Sequence, residues 1–323
     1  MITYLGIYLL LALLAMVDTA RYRALNIKVV SVLAFMLLFI GTRVNVGCDY
    51  LVYAAKYKVS DELLDSSMGV FDGTSNEIGF LVLNNFFASQ GWDLVWFNLF
   101  VTLMFLIGLF LFIRRHPDPL FLIAVLFPFL IVGLAMSGVR QTMAFALFLA
   151  GLSYLLKNRP LSYIACVLIG ALFHTSVIFF LPLAIIPWVE RQRFGASVAL
   201  MILVPVGFAL AQSRVGVYSE RYIEGDTEAA GAIVRAAVIA LPGFVYFAWP
   251  KKFVLQPPVR DHFVRFASIL AISILPITLY SSVAGERLGQ YIAPFGASVA
   301  MHLFATLGEA GRRQAKLISL GIV

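Results

Sequence analysis

The chain has 323 residues, of which 61% are hydrophobic and 13% charged, and its formal net charge is +7. A soluble globular domain is about 45–50% apolar and about 25% charged, so this composition excludes an ordinary soluble domain. The long apolar runs do not alternate with polar residues, and they therefore predict an all-α polytopic membrane protein rather than a barrel.

Apolar runs between polar linkers predict eleven transmembrane helices in one transmembrane domain that covers residues 1–323. The predicted spans are 1–17, 27–41, 92–113, 119–136, 141–156, 161–173, 176–189, 195–211, 230–249, 263–281 and 289–307. The first run has no basic residue before it and three soon after it, the opposite order from a secretory signal. We therefore expect a retained first helix.

Basic residues predict the orientation of these helices. With the N-terminus outside and the C-terminus inside, sixteen of the 24 lysines and arginines fall on the inner side and eight on the outer side. This bias agrees with the positive-inside rule. The basic character of the chain thus reflects membrane topology, and we predict no nucleic-acid partner.

The stretch from Leu161 to Glu190 has two interpretations: one overlong helix, or two short helices that meet at "FHTSV". A single helix would reverse the orientation of every later helix and put Lys251 and Lys252 outside. The charge bias therefore favours two short helices. Helices this short rise about 20–24 Å, whereas the hydrocarbon core is about 30 Å thick. The tip of this hairpin, which carries His174, is therefore expected below the outer surface or in a thinned bilayer.

Two long extracytoplasmic loops are predicted, at residues 42–91 and 212–228. The first contains an apolar piece, Ile78 to Phe87, that is too short to span a bilayer and predicts an interfacial or re-entrant helix. The inner loops are too short to hold a cytoplasmic domain. Nucleotide fingerprints, HExxH and paired-cysteine spacings do not occur in the sequence, so we predict no cofactor and no metal.

Arginines on the outer side are the first candidates for function. They are Arg43, Arg140, Arg214, Arg221, Arg235 and Arg287. Arginine presents a planar fork suited to phosphate and stays charged when partly buried, although snorkelling and local ion pairs are alternative roles. Arg214 and Arg221 have carboxylates nearby, and both alternatives stay open for them. Arg43 and Arg140 lack such neighbours, so we predict that Arg140 meets a lipid-borne anion rather than a protein carboxylate.

His174 is the candidate general base, because imidazole has an ordinary pKa of about 6.5. A histidine that merely hydrogen-bonds at a helix turn is an equally good interpretation. In "GTRVNVGCDYLVY", Asp49 could orient a sugar hydroxyl or pair with Arg43, and Tyr50 and Tyr53 could stack on sugars or act as interface aromatics. Polar residues elsewhere on the outer side are further candidates for substrate binding. They are Glu77, Gln141, Arg221, Glu286, Arg287 and Tyr291.

Three stretches carry a resemblance to a known family: "GTRVNVGCDYLVY", "GVRQTMAFALFLAGLSYLLKNRP" and "GALFHTSVIFFLPLAI", with Glu77 between the first and second. In order and spacing they resemble the EpsG-like, Wzy-type polysaccharide polymerases of bacterial O-antigen and exopolysaccharide pathways. The match runs from about Gly41 to Ile186, and "ERYIEG" and "GERLGQY" add a weaker one. The resemblance implies a GT-C-like, metal-independent glycosyltransferase of the bacterial cytoplasmic (inner) membrane.

The family's substrates are repeat units on undecaprenyl pyrophosphate, with a chain-length regulator as a further partner beside membrane lipid. By position, the resemblance implies functional roles for Arg43, Asp49, Arg140 and His174. Two other functions stay open: a flippase or transporter of lipid-linked glycans, and an O-antigen ligase-type transferase. A transporter usually places polar groups at mid-membrane on repeated halves, whereas these charges cluster at outer helix ends.

Overall fold

The computed structural model describes residues 2–17, 26–47, 49–59, 77–187, 231–249, 261–305, 307 and 309–322. Helices and turns make up this described part of the chain, which contains no strand, and the predicted all-α fold is confirmed. The predicted span 195–211 and the predicted loop 212–228, with Arg214 and Arg221, lie outside the described residues.

The described helices follow in chain order, and we number them as they occur. They are α1 (Ile2–Val17), α2 (Ile27–Gly41), α3 (Tyr50–Lys58), α4 (Ile78–Ser89), α5 (Leu94–Ile113), α6 (Pro119–Leu126) with a π-helical continuation (Phe127–Ala135), α7 (Val139–Leu155), α8 (Pro160–Ala171), a 3-10 helix (Thr175–Ile185), α9 (Ala232–Ala248), α10 (Asp261–Tyr280), α11 (Ser282–Ala305) and α12 (Glu309–Ile322).

Length and apolarity support a membrane protein. Within the described residues, two helices are long and apolar enough to cross a bilayer, Leu94–Ile113 and Phe263–Tyr280, and several shorter apolar helices accompany them. Large apolar side chains also lie exposed, for example Leu13 on α1 and Leu161 on α8. Exposure of such side chains to water would be unfavourable, whereas lipid is as apolar as they are.

Three helices differ from the sequence-based prediction. α11 begins at Ser282 rather than at residue 289, because a single residue, Ser281, separates it from α10. The loop after α2 contains α3, and α12 follows α11; neither helix was predicted. Both are much less apolar than the spanning segments, so a search for apolar runs misses them.

Residues 160–185 form two elements, as the charge bias favoured. α8 ends at Ala171, and the chain turns at His174 and returns as the 3-10 helix, so that the Tyr163 hydroxyl donates a hydrogen bond to the Phe180 carbonyl at 2.5 Å. Runs of 3-10 helix longer than three or four residues are uncommon. This one is 11 residues long and contains Pro182.

Close helix packing depends on glycine at a few positions. A Cβ on Gly108 of α5 would lie 2.2 Å from the Ala146 carbonyl oxygen of α7, and one on Gly296 of α11 would lie 2.4 Å from the Ile239 carbonyl oxygen of α9. Such approaches let backbones touch, which is how helices in lipid commonly associate. α5 and α7 therefore pack as one pair, while α9, α10 and α11 form a second group beside them.

Candidate active site

The centre of the candidate site is a carboxylate that contacts two of the predicted catalytic residues. Glu77 Oε2 lies 2.5 Å from Arg140 Nη1, and Glu77 Oε1 lies 2.8 Å from His174 Nδ1. The three side chains are mostly buried, with exposed fractions of 10% for Glu77, 23% for Arg140 and 14% for His174. One carboxylate thus joins the arginine and the histidine into a single cluster.

This contact corrects one sequence-based prediction. Arg140 does not lack a protein carboxylate, because Glu77 supplies one from 63 residues away in the chain. A search for acidic neighbours along the sequence cannot find a partner that only the fold brings close. Glu77, which was predicted only as a substrate contact, therefore becomes the residue that organises the cluster.

The start of α4 places Glu77, because α4 docks on the end of α8. Glu77 is the residue before α4, and two positions later the Gly79 N–H donates a hydrogen bond to the Leu172 carbonyl at 2.9 Å. A Cβ on Gly79 would lie 2.8 Å from that carbonyl oxygen, so this approach requires glycine. Since Leu172 comes two residues before His174, this backbone contact sets the distance between the carboxylate and the imidazole.

The first turn of α7 holds Arg140. The helix begins at Val139 after the turn around Gly138, and the guanidinium lies over the Phe80 ring at 5.9 Å from its centroid and donates a hydrogen bond to the Tyr53 side chain. A cation is unfavourable at the N-terminus of a helix, where the helix dipole is positive. The carboxylate of Glu77 offsets this cost.

His174 is oriented by the same carboxylate. It lies in extended conformation between α8 and the 3-10 helix, and Glu77 Oε1 accepts from Nδ1. In the neutral imidazole this contact places the proton on Nδ1, because an ionised carboxylate only accepts. Nε2 then carries the lone pair, which is the state that a general base needs.

Glu77 stays ionised in this setting. Burial raises the pKa of the Glu77 carboxyl, but the hydrogen bond from His174 and the charge of Arg140 outweigh burial and bring the pKa below its ordinary value. A group that must accept hydrogen bonds from two neighbours is therefore held in its accepting form.

Lys56 of α3 is a second cation at this cluster, and the sequence analysis missed it. Burial lowers the pKa of Lys56, the charge of Arg140 lowers it further, and Glu77 acts in the opposite direction. Lys56 is half-buried and follows Tyr53 by three positions, a spacing that puts two residues on one face of a helix. That spacing is the signal that could have identified it. Lys56 thus adds a second basic side chain that interacts with Glu77 and Arg140.

Arg43 lies beside this cluster but is buried against backbone. Its Nη1 donates hydrogen bonds to the carbonyls of Ala135, at 2.8 Å, and Ile40, at 3.3 Å, and its exposed fraction is 7%. Burial lowers the pKa of Arg43 to about 10, although Tyr50 and Tyr53 act in the opposite direction. Arg43 is therefore still charged at neutral pH. Its guanidinium pairs with a carbonyl at the end of the π-helix, where the last carbonyls have no partner within the helix.

The loop that carries Arg43 is fixed to the turn before α7. Gly47 has a φ of 104° and packs so closely on Met136 that a Cβ would lie 1.9 Å from the Met136 carbonyl oxygen. Asp49 is exposed at the start of α3 and makes no capping hydrogen bond, and the described ion pairs do not join it to Arg43. Tyr50 is half-buried, and Tyr53 is buried edge-on against Phe80.

A second polar cluster lies on the other side of the first turn of α7. Gln141 Nε2 donates to Gln290 Oε1 at 3.0 Å, and Gln290 Nε2 donates to the Gly133 carbonyl at 3.4 Å. Beyond Gln290, Arg235 Nε donates to Glu286 Oε2 at 2.6 Å. Gln290 was not predicted; a glutamine within an apolar helix, next to the predicted Tyr291, is the signal that could have identified it.

Two further predicted residues, Arg287 and Tyr291, lie on α11. Arg287 is exposed on α11, whereas Tyr291 is fully buried, stacks on Phe180 and accepts a hydrogen bond from Ser176 at 3.1 Å. Arg221 lies outside the described residues. Within the described part of the chain, no group of three or more His, Cys, Asp and Glu side chains could hold a metal ion.

Comparisons with known proteins agree with the resemblance seen in the sequence. No curated protein and no solved structure matches the chain. The model of the EpsG family, however, matches residues 26–323, which covers α2 to α12 and both polar clusters. The chain therefore belongs to the EpsG family of polysaccharide polymerases.

Proposed function

We propose that this protein polymerises oligosaccharide repeat units carried on undecaprenyl pyrophosphate at the outer face of the bacterial cytoplasmic membrane. The family supplies the polymerase role and a lipid-linked glycan as the general class of substrate. The eleven-span, GT-C-like topology with the N-terminus outside and the C-terminus inside, the metal independence and a chain-length regulator as partner belong to the same proposal.

The single observation that carries the proposed chemistry is the Glu77 carboxylate that holds His174 Nδ1 at 2.8 Å. It leaves Nε2 as a base for the acceptor hydroxyl, in the way that a buried aspartate orients the histidine of a serine protease. The acceptor oxygen attacks C1 of the donor sugar and forms the new glycosidic bond. The bond between C1 and the pyrophosphate breaks, its electron pair leaves with the phosphate oxygen, and the acceptor proton moves to His174 Nε2.

Cations near His174 stabilise the departing pyrophosphate in this proposal. Arg140 is partly neutralised by Glu77, but Lys56 adds a further positive charge to the same cluster. Preorganised charges in a poorly hydrated site stabilise developing negative charge more strongly than water does. Arg43 acts as a positioning residue, because its guanidinium is bonded to the end of the π-helix just before the turn that carries Arg140.

Sugar binding is assigned to the polar side chains around this cluster. Asp49 and Tyr50 stand at the start of α3, the helix whose Tyr53 contacts Arg140 directly. Gln141 and Glu286 belong to the second polar cluster. Arg287, Tyr291 and Arg221 stay assigned to substrate binding on the basis of the sequence alone.

The test uses purified protein in proteoliposomes with the lipid-linked repeat unit as the only substrate. We expect a ladder of longer glycans on lipid from the wild type and none from His174→Ala or Arg140→Ala, each checked for folding by size-exclusion chromatography. Arg159→Ala is the matched control, because Arg159 is an exposed arginine at the opposite end of the neighbouring helix. If the wild type makes no covalent change in the glycan, the result supports a transporter instead of a polymerase. If it transfers the glycan only to a different carrier, the result supports a ligase.

A further inference from the structure

A cleft and an apolar groove meet on the flank of the bundle that is formed by α6, α9 and α11. The cleft lies at the outer ends of these helices and is bordered by Arg235, Glu286 and Gln290. The groove lies deeper along the same helices and is lined mostly by apolar side chains.

The two spaces adjoin each other, because Phe129 and Ile239 line both of them, and we treat them together as one channel. On α11 the lining runs from Gly285 in the cleft to Ala300 in the groove. Fifteen helical residues rise roughly 22 Å, so this channel follows most of the depth of a hydrocarbon core of about 30 Å.

The character of the lining changes along the channel. Small residues of α11, including Ala293 and Ala297, form one wall of the deep part, and Val125 and Leu241 of the neighbouring helices border it. The outer part carries the Arg235–Glu286 ion pair, and the side chain of Arg235 is 40% exposed. A ligand that matches this channel has one long apolar chain and one anionic head.

We propose that this channel holds the polyprenyl chain of a lipid-linked substrate, with its pyrophosphate at Arg235. The inference rests on the proposed function, which supplies a substrate of this chemical class. Arginine binds phosphate oxygens bidentately, and Glu286 fixes the guanidinium of Arg235 through Nε. The N-terminal turn of α9, from Ala232, adds the positive end of a helix dipole at the same place.

The mouth of the channel also connects to the catalytic cluster. Gln290 borders the cleft and accepts a hydrogen bond from Gln141, the residue that follows Arg140 on α7. A pyrophosphate bound at Arg235 therefore lies next to the helix turn that presents Arg140 to Glu77. This arrangement brings the head of a lipid bound in the channel toward His174.

Photolabelling tests the channel. The probe is a photoreactive polyprenyl pyrophosphate analogue, added to wild-type protein in phosphatidylglycerol vesicles, with the labelled peptides mapped by mass spectrometry. We expect label on α6, α9 or α11, and competition by unlabelled polyprenyl pyrophosphate but not by added phosphatidylglycerol. Label on other helices, or equal competition by the phospholipid, overturns the proposal, since the latter indicates an ordinary lipid contact.

A matched pair of variants on α9 gives a second measurement. Val238 lines the groove, whereas Val234 is 64% exposed and borders neither space. Val238→Trp is expected to reduce labelling about tenfold by filling the groove, and Val234→Trp to change it less than about twofold; tenfold corresponds to about 1.4 kcal/mol of binding free energy. Equal labelling of both variants contradicts the proposal, and the wild-type map decides it if Val238→Trp does not fold.

The variant Arg235→Ala distinguishes binding of the pyrophosphate head from binding of the polyprenyl chain. It is expected to reduce labelling by the pyrophosphate probe but not by an uncharged polyprenol probe, and an equal effect on both probes argues against a pyrophosphate at Arg235. The outcome is distinguishable from a failure of the proposed function. If the wild type is labelled in the channel but makes no glycan ladder, the polymerase proposal fails and the channel proposal stands. If it makes a ladder but is labelled elsewhere, the channel proposal fails and the polymerase proposal stands.

Discussion

Glu77 and His174 are 97 residues apart in the chain, and their side chains meet at 2.8 Å in the fold. The other oxygen of the same carboxylate holds Arg140, so the base and the cation share one organising group. This relationship makes Glu77 the residue whose chemistry can be varied with the least change in volume. It also leads to four predictions.

Replacement of Glu77 by glutamine is expected to lower the elongation rate about 10²–10⁴-fold while the protein stays folded. The amide can donate its N–H to His174 Nδ1, which then carries the lone pair and leaves the proton on Nε2, the wrong nitrogen for a base. The measurement is the rate of ladder formation by purified protein. Asp93→Asn is the control, because Asp93 is an exposed carboxylate at the start of α5 without a capping hydrogen bond. Full activity of Glu77→Gln would remove the orienting role.

Arg140→Ala is expected to abolish elongation and also to lower the thermal midpoint in detergent. Removal of one partner of a mostly buried ion pair leaves the other charge poorly compensated, at a cost of up to about 3 kcal/mol for a pair that is partly exposed. The double variant Glu77→Gln, Arg140→Ala should recover most of the lost thermal stability but no activity, since the uncompensated carboxylate is gone. A double variant as unstable as Arg140→Ala would mean that the ion pair does not account for the loss.

Acidification should destabilise the protein through Glu77. Its pKa is lowered in the folded protein relative to its ordinary value of 4.5, so its contribution to stability is complete above that value and is lost as the pH falls through the lower folded value. The thermal midpoint of the wild type should therefore drop between about pH 5 and the acid limit of the assay. Glu77→Gln should show a smaller drop over the same range, and an identical pH profile contradicts the assignment.

Gly79→Ala is expected to reduce elongation strongly, because the new Cβ would lie 2.8 Å from the Leu172 carbonyl oxygen and push the start of α4 away from α8. The cost in stability should be about 1–3 kcal/mol, which is typical of overpacking. Gly6→Ala in α1 is the control, since a Cβ there meets nothing within 4 Å. Elongation at the wild-type rate by Gly79→Ala would show that Glu77 does not depend on this contact.

Much of the helical framework is predictable from the sequence, because long apolar runs have few alternatives in a bilayer. The bends at residues 136–138 and at His174 follow from polar interruptions of those runs. The start of α11 is less predictable: Glu286 and Arg287 read as a linker, yet they form the polar first turns of a helix that continues directly from α10. Charge alone therefore does not end a helix.

The candidate site is only partly predictable. Arg140 and His174 stand out as polar residues at the ends of apolar helices, and in the structure both contact Glu77. Their connection through Glu77 depends on a glycine contact between α4 and α8, which leaves no periodic signal in the sequence. Lys56 lies on a helix too polar to be predicted from apolar runs. Arg43 donates a hydrogen bond to the Ala135 carbonyl at the end of a π-helix, whose extra residue per turn has no simple sequence pattern.

The 3-10 winding of Thr175–Ile185 affects the depth at which His174 lies. A 3-10 helix rises about 2.0 Å per residue, so eleven residues reach roughly 22 Å, whereas an α-helix of the same residues would reach roughly 17 Å. The returning leg of the hairpin thus gains about one α-helical turn of reach without any added residue. If this leg relaxed to ordinary α-helix with its inner end held, His174 would be drawn about 5 Å inward and would lose its carboxylate.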